Sequence, residues 1–240
     1  LGDAAARAAD DPLWSGTMWE CVDFFRFTDD GRTTAPDAAS GDPHVMLFSA
    51  WDHGRTLHPL AAIGRYRDDR FEIDRYQRLD LGGRHAYAPQ SFINESGRRV
   101  LWSWMQEGRT TRAQRAAGWS GAMTLPRRLW LDEVGVVRQE PVGELESLRE
   151  APLEWTPSAA NDLHAAGNQV EFAFDAVITA SSAVRITVLA SPDGTEETTI
   201  DLSADDAGAL RLDLDRSRSS LDCTTDASPL RGSVPSPAGS

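Results

Sequence analysis

Val100-Leu101-Trp102-Ser103-Trp104-Met105 sets large aromatic and aliphatic side chains at alternating positions. Such a run suits a pleated, half-buried strand, because successive side chains leave opposite faces. Working outward, short apolar or alternating segments recur from Trp19 to Phe27, His44 to Trp51, Ala61 to Tyr66, Arg70 to Tyr76, Tyr87 to Ile93, Ala122 to Leu125 and Leu129 to Leu131. Between them stand clusters of Gly, Asp, Asn and Pro, the residues that turns require. The spacing predicts an all-β chain, and periodicity alone leaves sandwich, barrel and propeller open. Arg127 to Leu131 with Gly135 to Arg138 reads as a hairpin, and Val142 to Glu150 as a helical linker.

Beyond Pro152 to Ala160 a second set of strands is predicted: Gln169 to Val177, Val184 to Ala190, Glu197 to Leu202 and Ala209 to Leu214. Each has one apolar face, as expected of one sheet of a sandwich whose partner sheet is not encoded. Asp215 to Ser240 is polar and rich in Pro and Ser, so disorder is expected there. The chain opens on Leu1 and closes on Ser233-Val234-Pro235-Ser236-Pro237-Ala238-Gly239-Ser240, from which a longer parent protein is expected.

The 240 residues carry a formal net charge of −13. That mean field repels nucleic acid and anionic membrane surfaces, whereas a neutral ligand such as a sugar is compatible with it. All 24 basic residues are Arg, a composition bias that says little about function. Cys21 and Cys223, the two cysteines, are too few for a disulfide scaffold and wrongly spaced for zinc. His44, His53, His58, His85 and His164 lack ligand spacing, so no metal is expected. The sequence contains no apolar run of about 18 residues and no charged-then-apolar leader, and the compartment stays open.

Gly16-Thr17-Met18-Trp19-Glu20-Cys21-Val22-Asp23-Phe24-Phe25 carries the chemistry. A carboxyl among Met18, Trp19 and Cys21 would be partly desolvated, which favours its protonated form and suits a general acid. On spacing alone, a solvated Glu at a strand edge is the commoner reading. Regular alternation would also send Glu20 and Asp23 to opposite faces, so a bend is required if both line one site.

This stretch resembles the Glu-Cys-Pro-Asp motif of glycoside hydrolase family 32, the β-fructosidases, with Val22 in place of the Pro. Asp80-Leu81-Gly82 and Tyr87-Ala88-Pro89-Gln90-Ser91-Phe92 resemble the family's Asp-Tyr-Gly and Tyr-Ala-Pro-Gln-x-Phe segment. Gly118-Trp119-Ser120-Gly121-Ala122 with Thr124-Leu125-Pro126-Arg127 resembles its Gly-Trp-Ala-Gly and Leu-Pro-Arg-Glu segment, with Arg128 where Glu is usual. Gln139-Glu140-Pro141-Val142, Glu144-Leu145 and Leu148-Arg149 resemble its propeller exit, and Leu214-Asp215-Arg216-Ser217 a strand of its trailing sandwich.

The resemblance implies a partial five-bladed β-propeller over residues 1–150, an incomplete β-sandwich over 151–220 and a disordered tail over 221–240. It implies Glu20 as the catalytic acid/base, with Asp80, Tyr87, Cys21 and Asp23 near the substrate. Apart from the resemblance, Trp51, Trp102, Trp104 and Trp119 could stack on a sugar, although large aromatics are more often core; Trp51 and Trp119, which flank loops, are the preferred pair. The resemblance also implies a fructose-containing oligo- or polysaccharide as partner, with no metal or other cofactor. The family's nucleophile motif, Asn-Asp-Pro-Asn/Gly, and its Arg-Asp-Pro motif do not occur in this sequence. Asp11-Pro12 and Asp42-Pro43 share the dipeptide without the flanking residues. Little or no hydrolysis by the chain alone is therefore expected. Two further readings are a non-catalytic carbohydrate-binding propeller remnant, and an inverting hydrolase with Asp23 or Asp80 as base.

Overall fold

The alternating segments form strands in the computed structural model, which describes residues 7–27, 42–81, 85–154, 169–179, 182–205, 209–222 and 225–234. The chain divides after Val142 into two compact units. In the first, β1 (Met18–Arg26), β2 (Pro43–Asp52), β3 (Arg55–Arg67) and β4 (Arg70–Arg78) form an antiparallel meander. The second sheet is β5 (Ala86–Ile93), β6 (Arg99–Met105), β8 (Arg127–Leu131) and β9 (Val137–Pro141), with the two-residue β7 (Ala122–Met123) also on β6. Two consecutive four-stranded meanders of this kind are propeller blades.

The two blades pack across a shared core. Phe25, Phe27, Leu47 and Ile63 of the first meet Leu101, Leu129 and Val137 of the second, all buried. Because strand side chains alternate, the opposite face of β2 and β3 carries a separate cluster of Phe48, Leu60 and Ala62, against which Trp19 and Tyr76 pack. Polar links join the blades as well. Gln77 on β4 exchanges hydrogen bonds with the Val137 backbone, its Nε2 donating to the carbonyl at 2.8 Å and its Oε1 accepting from the N–H at 3.0 Å. Pro59 and Leu60 start the buried run of β3, and the carbonyl of Pro59 accepts from Leu79 N–H.

The predicted hairpin at 127–138 is β8 and β9, paired from Arg127 with Pro141 to Leu131 with Val137. A helix absent from the sequence reading, α1 (Thr111–Ala117), follows β6. Its signals are local ones: Thr110 caps the N-terminus by accepting from Ala113 N–H, and Gly118 closes the C-terminus at φ 76°.

In the second unit, a 3-10 helix (Gly143–Leu148) precedes β10 (Ala183–Val188), β11 (Thr198–Ala204), β12 (Leu210–Asp215) and β13 (Leu230–Val234), an antiparallel sheet in that order. Three expectations are corrected here. The stretch from 221, expected to be disordered, contains β13, which pairs with β12 from Leu214 with Leu230 to Leu210 with Val234. Conversely, 169–177 contains no strand, and Val170, Phe172, Phe174 and Val177 are exposed. The expected boundary near 150 also moves to Val142, whose N–H still bonds the Pro126 carbonyl, while the 3-10 helix that follows buries nothing. The opposite face of the sheet is a charged row, Arg185, Asp201, Asp213 and Arg231 lying side by side. Gly82, Cys223 and His164 lie outside the described residues. No helix among the described residues is long and apolar enough to cross a membrane.

His58 on β3 ties the segment before β1 to the first blade, its Nε2 lying 3.0 Å from the Trp14 carbonyl, which makes Nε2 the protonated nitrogen. Burial, and then the Arg78 charge, push its pKa from 6.5 down to about 4. The folded state therefore holds a neutral ring, and the unfolded chain takes up a proton first as pH falls. Stability is fully present above the unfolded value of 6.5 and declines until about 4. With solvent screening at a partly exposed ring discounted, the loss is about 1–2 kcal/mol. Urea unfolding of the wild type at pH 7 and pH 4.5 should show it, and His58→Gln, which keeps a donor for Trp14, should flatten that part of the difference.

Candidate active site

Glu20 and Asp23 reach one face through a β-bulge. Glu20 pairs with Ser49 and Asp23 with Leu47, so Cys21 and Val22 together oppose Phe48, and Cys21 takes φ 51°. The extra residue turns an odd spacing into an even one, which is the bend that both carboxylates required. The first strand of the second blade repeats the device. Tyr87 pairs with Trp104 and Gln90 with Trp102, so Ala88 and Pro89 oppose Ser103, and Ala88 also takes φ 51°. Glu20-Cys21-Val22-Asp23 and Tyr87-Ala88-Pro89-Gln90 thus occupy equivalent steps of consecutive blades. Pro89 stands where the ladder has no use for an N–H, and Val22 fills the same step in the first blade.

The two bulges meet. The Tyr87 hydroxyl donates to Glu20 Oε2 at 2.6 Å. Ala88 N–H donates to the buried Ser49 hydroxyl at 2.8 Å, and Gln90 Nε2 donates to the Cys21 carbonyl at 2.9 Å. Ser91 gives both its N–H, at 2.8 Å, and its hydroxyl to Asp23 Oδ2. Arg99, itself buried and lying 3.8 Å over the Phe25 ring, donates to the Ser91 hydroxyl at 2.8 Å. Burial, and after it the hydrogen bond and charge of Glu20, push the Tyr87 phenol well above its ordinary value. Tyr87 therefore remains a donor across the accessible pH range, and its hydroxyl orients the half-buried Glu20 carboxyl through Oε2.

Of the residues singled out in the sequence, the structure brings Glu20 and Tyr87 into direct contact and sets Cys21 and Asp23 beside them. Cys21 is exposed as a free thiol and contributes its backbone carbonyl. Asp80 sits in a different network, its carboxylate 3.0 Å from Arg127, which also bonds Gln139. Trp51 closes β2 opposite Met18, two residues before Glu20. Trp119 follows α1 and is 58% exposed. Ser49, Gln90, Ser91 and Arg99 form the frame that sequence reading did not single out; the Pro89-Gln90-Ser91 run was its only visible sign. Among the described residues, no cluster of His, Cys, Asp and Glu is arranged to hold a metal ion.

The family model of the glycosyl hydrolases family 32 N-terminal domain matches residues 4–141. An insoluble beta-fructofuranosidase isoenzyme of Arabidopsis thaliana is 34% identical over 152 residues, covering 58% of this chain and 25% of that protein. Fructan 6-exohydrolase of Triticum aestivum is 39% identical over 153 residues, covering 55% and 25%. Among solved structures, fructan 1-exohydrolase IIa of Cichorium intybus in complex with 1-kestose superposes with a TM-score of 0.69 at 23% identity, covering 90% of this chain and 49% of that one. Sucrose-6-phosphate hydrolase of Lactobacillus gasseri gives 0.58 at 15% identity, covering 92% and 44%. The chain thus spans about a quarter of the curated relatives and about half of the matched structures, and its architecture is part of their propeller followed by part of their β-sandwich. Since the family model accounts for more than half of its residues, this chain belongs to glycoside hydrolase family 32.

Proposed function

We propose that this chain supplies the acid/base half of a retaining hydrolase of β-D-fructofuranosyl linkages, with Glu20 as the proton donor. The observation that carries the reading is the 2.6 Å hydrogen bond from Tyr87 to Glu20 Oε2 at the meeting point of two equivalent bulges. With Oε2 held by Tyr87, the proton passes from Oε1 to the glycosidic oxygen as the bond to the anomeric carbon breaks. A carboxylate about 5–5.5 Å away attacks that carbon, and Glu20 then deprotonates the water that releases fructose. The family places the attacking Asp in a motif this sequence does not contain, so the division of labour is acid here and nucleophile elsewhere. Cys21 and Asp23 hold the bulge through Gln90 and Ser91 rather than reacting. Relatives that cleave fructans, by their names, support a fructose-containing substrate.

The test is turnover on sucrose, levan and inulin. The chain alone should release negligible fructose, and mixing it with a polypeptide carrying the Asn-Asp-Pro and Arg-Asp-Pro motifs of the family should restore release. Robust release by the chain alone would overturn the division of labour. Binding of a fructoside without turnover in the mixture would instead favour a carbohydrate-binding role.

A further inference from the structure

The most regular apolar alternation in the second unit falls on a segment that forms no strand. Within 169–177, Val170, Phe172, Phe174 and Ala176 alternate with Gln169, Glu171, Ala173 and Asp175. Val170, Phe172 and Phe174 are close to half exposed and Val177 is 91% exposed, the two phenyl rings stacking only on each other, with centroids 6.4 Å apart. The segment is anchored at one end, where Arg149 donates to both Glu171 oxygens at 2.7 and 2.6 Å.

The strand that follows it, β10, lies at the edge of its sheet, and among the described residues none pairs with its outer side. Such an edge offers backbone N–H and C=O groups to any extended segment. Val184, Ile186 and Val188 lie on the apolar face with Leu202, Ile200 and Thr198 opposite them. Arg185 lies on the charged face, bound to Asp201 on one side, and its side chain is still 68% exposed.

The link between the two explains why they stay apart within one chain. Ser182 N–H donates to the Thr179 carbonyl at 2.9 Å, and Thr179 N–H donates to the Ser182 hydroxyl at 2.7 Å. A hairpin continuing from that closure sets Thr179 opposite Ser182, hence Phe174 opposite Thr187 and Asp175 opposite Ile186. Residues directly opposite share a face, so every side chain would fall on the wrong one. A shift of one residue restores agreement everywhere: Asp175 meets Arg185, Phe174 meets Ile186, Phe172 meets Val188 and Ala176 meets Val184. The closure forbids that register within the chain, whereas a separate molecule carries no such tether.

We propose that residues 170–177 add as an outer strand to β10 of a second copy of this chain and accept that copy's segment in return, forming a two-fold, strand-exchanged dimer. Each copy contributes the same strand and the same edge, so the contact is isologous and closes. Main-chain hydrogen bonds supply the attraction and the apolar side chains fix the register. Asp175 extends the charged row by one place beside Arg185.

Sedimentation of the 240-residue chain over a concentration series should show a monomer passing to a dimer. Phe172→Ser combined with Phe174→Ser should move the midpoint to at least about tenfold higher concentration, the size expected of losing two aromatic contacts, while amide exchange in β11 and β12 stays unchanged. Disulfide trapping reads the register. With Cys21 and Cys223 replaced by Ser, a mixture of Asp175→Cys chains and Arg185→Cys chains should form a linked heterodimer on mild oxidation. Ala176→Cys and Arg185→Cys placed in one chain, which would meet only in the hairpin continued from Thr179 and Ser182, should not link. A monomer at every concentration, a dimer that survives both Phe substitutions, or a chain that links to itself through positions 176 and 185 overturns the proposal.

Discussion

Glu20→Gln should lower cleavage of sucrose or inulin in the reconstituted enzyme by about 10²–10⁴-fold, the range that a positioned general acid contributes. The substitution is nearly isosteric, and the amide oxygen can still accept from Tyr87 where Oε2 does now. Loss of rate then reports the missing proton rather than a displaced strand. A second substrate separates the two. An aryl fructofuranoside whose leaving group departs without protonation should form the fructosyl-enzyme at nearly the wild-type rate in Glu20→Gln, because the acid is not needed for that step. Equal losses on both substrates would show that Glu20 is structural. Tyr87→Phe should lie between wild type and Glu20→Gln on the natural substrate, since it removes one hydrogen bond to a charged group, about 1.5–3 kcal/mol, and leaves the proton donor in place.

Phe27→Ala should destabilise the first unit by about 3–5 kcal/mol, the cost of deleting a fully buried phenyl ring and leaving a cavity. Phe27 stands edge-on to Phe25 with ring centroids 5.3 Å apart, inside the core shared by the two blades. Phe25 in turn carries the Arg99 guanidinium that supports Ser91 and, through it, Asp23. The cavity thus opens beneath the frame that aligns the bulges. Urea unfolding followed by tryptophan fluorescence should show an earlier transition for the first unit, while amide exchange in β10 to β12 of the second unit keeps wild-type protection. A loss below about 1 kcal/mol would mean that the core collapses around the gap and that the blades do not depend on this contact.

Strand identity was legible because it is local: alternation at Val100 to Met105, or turn residues between Leu131 and Val137, needs no partner to be recognised. The family was legible for a related reason, since its motifs sit on short runs such as Glu20 to Asp23 and Tyr87 to Phe92. Whether Glu20 and Asp23 share a face was not, because a bulge is a property of two paired strands, and only the register with Ser49 and Leu47 reveals it. Asp80 lay outside local reasoning in the same way; its partner Arg127 is 47 residues away. The fourth strand of the second unit went to Leu230–Val234 rather than to the better alternating 169–177, because the open edge of β12 decides which segment pairs, and periodicity carries no record of that edge. The residues of this chain alone determined its class, its family and its candidate acid. Only the packing of one blade against the next decided which side chains that acid meets, since a hydrogen bond between Glu20 and Tyr87 exists only once strands 67 residues apart are brought side by side.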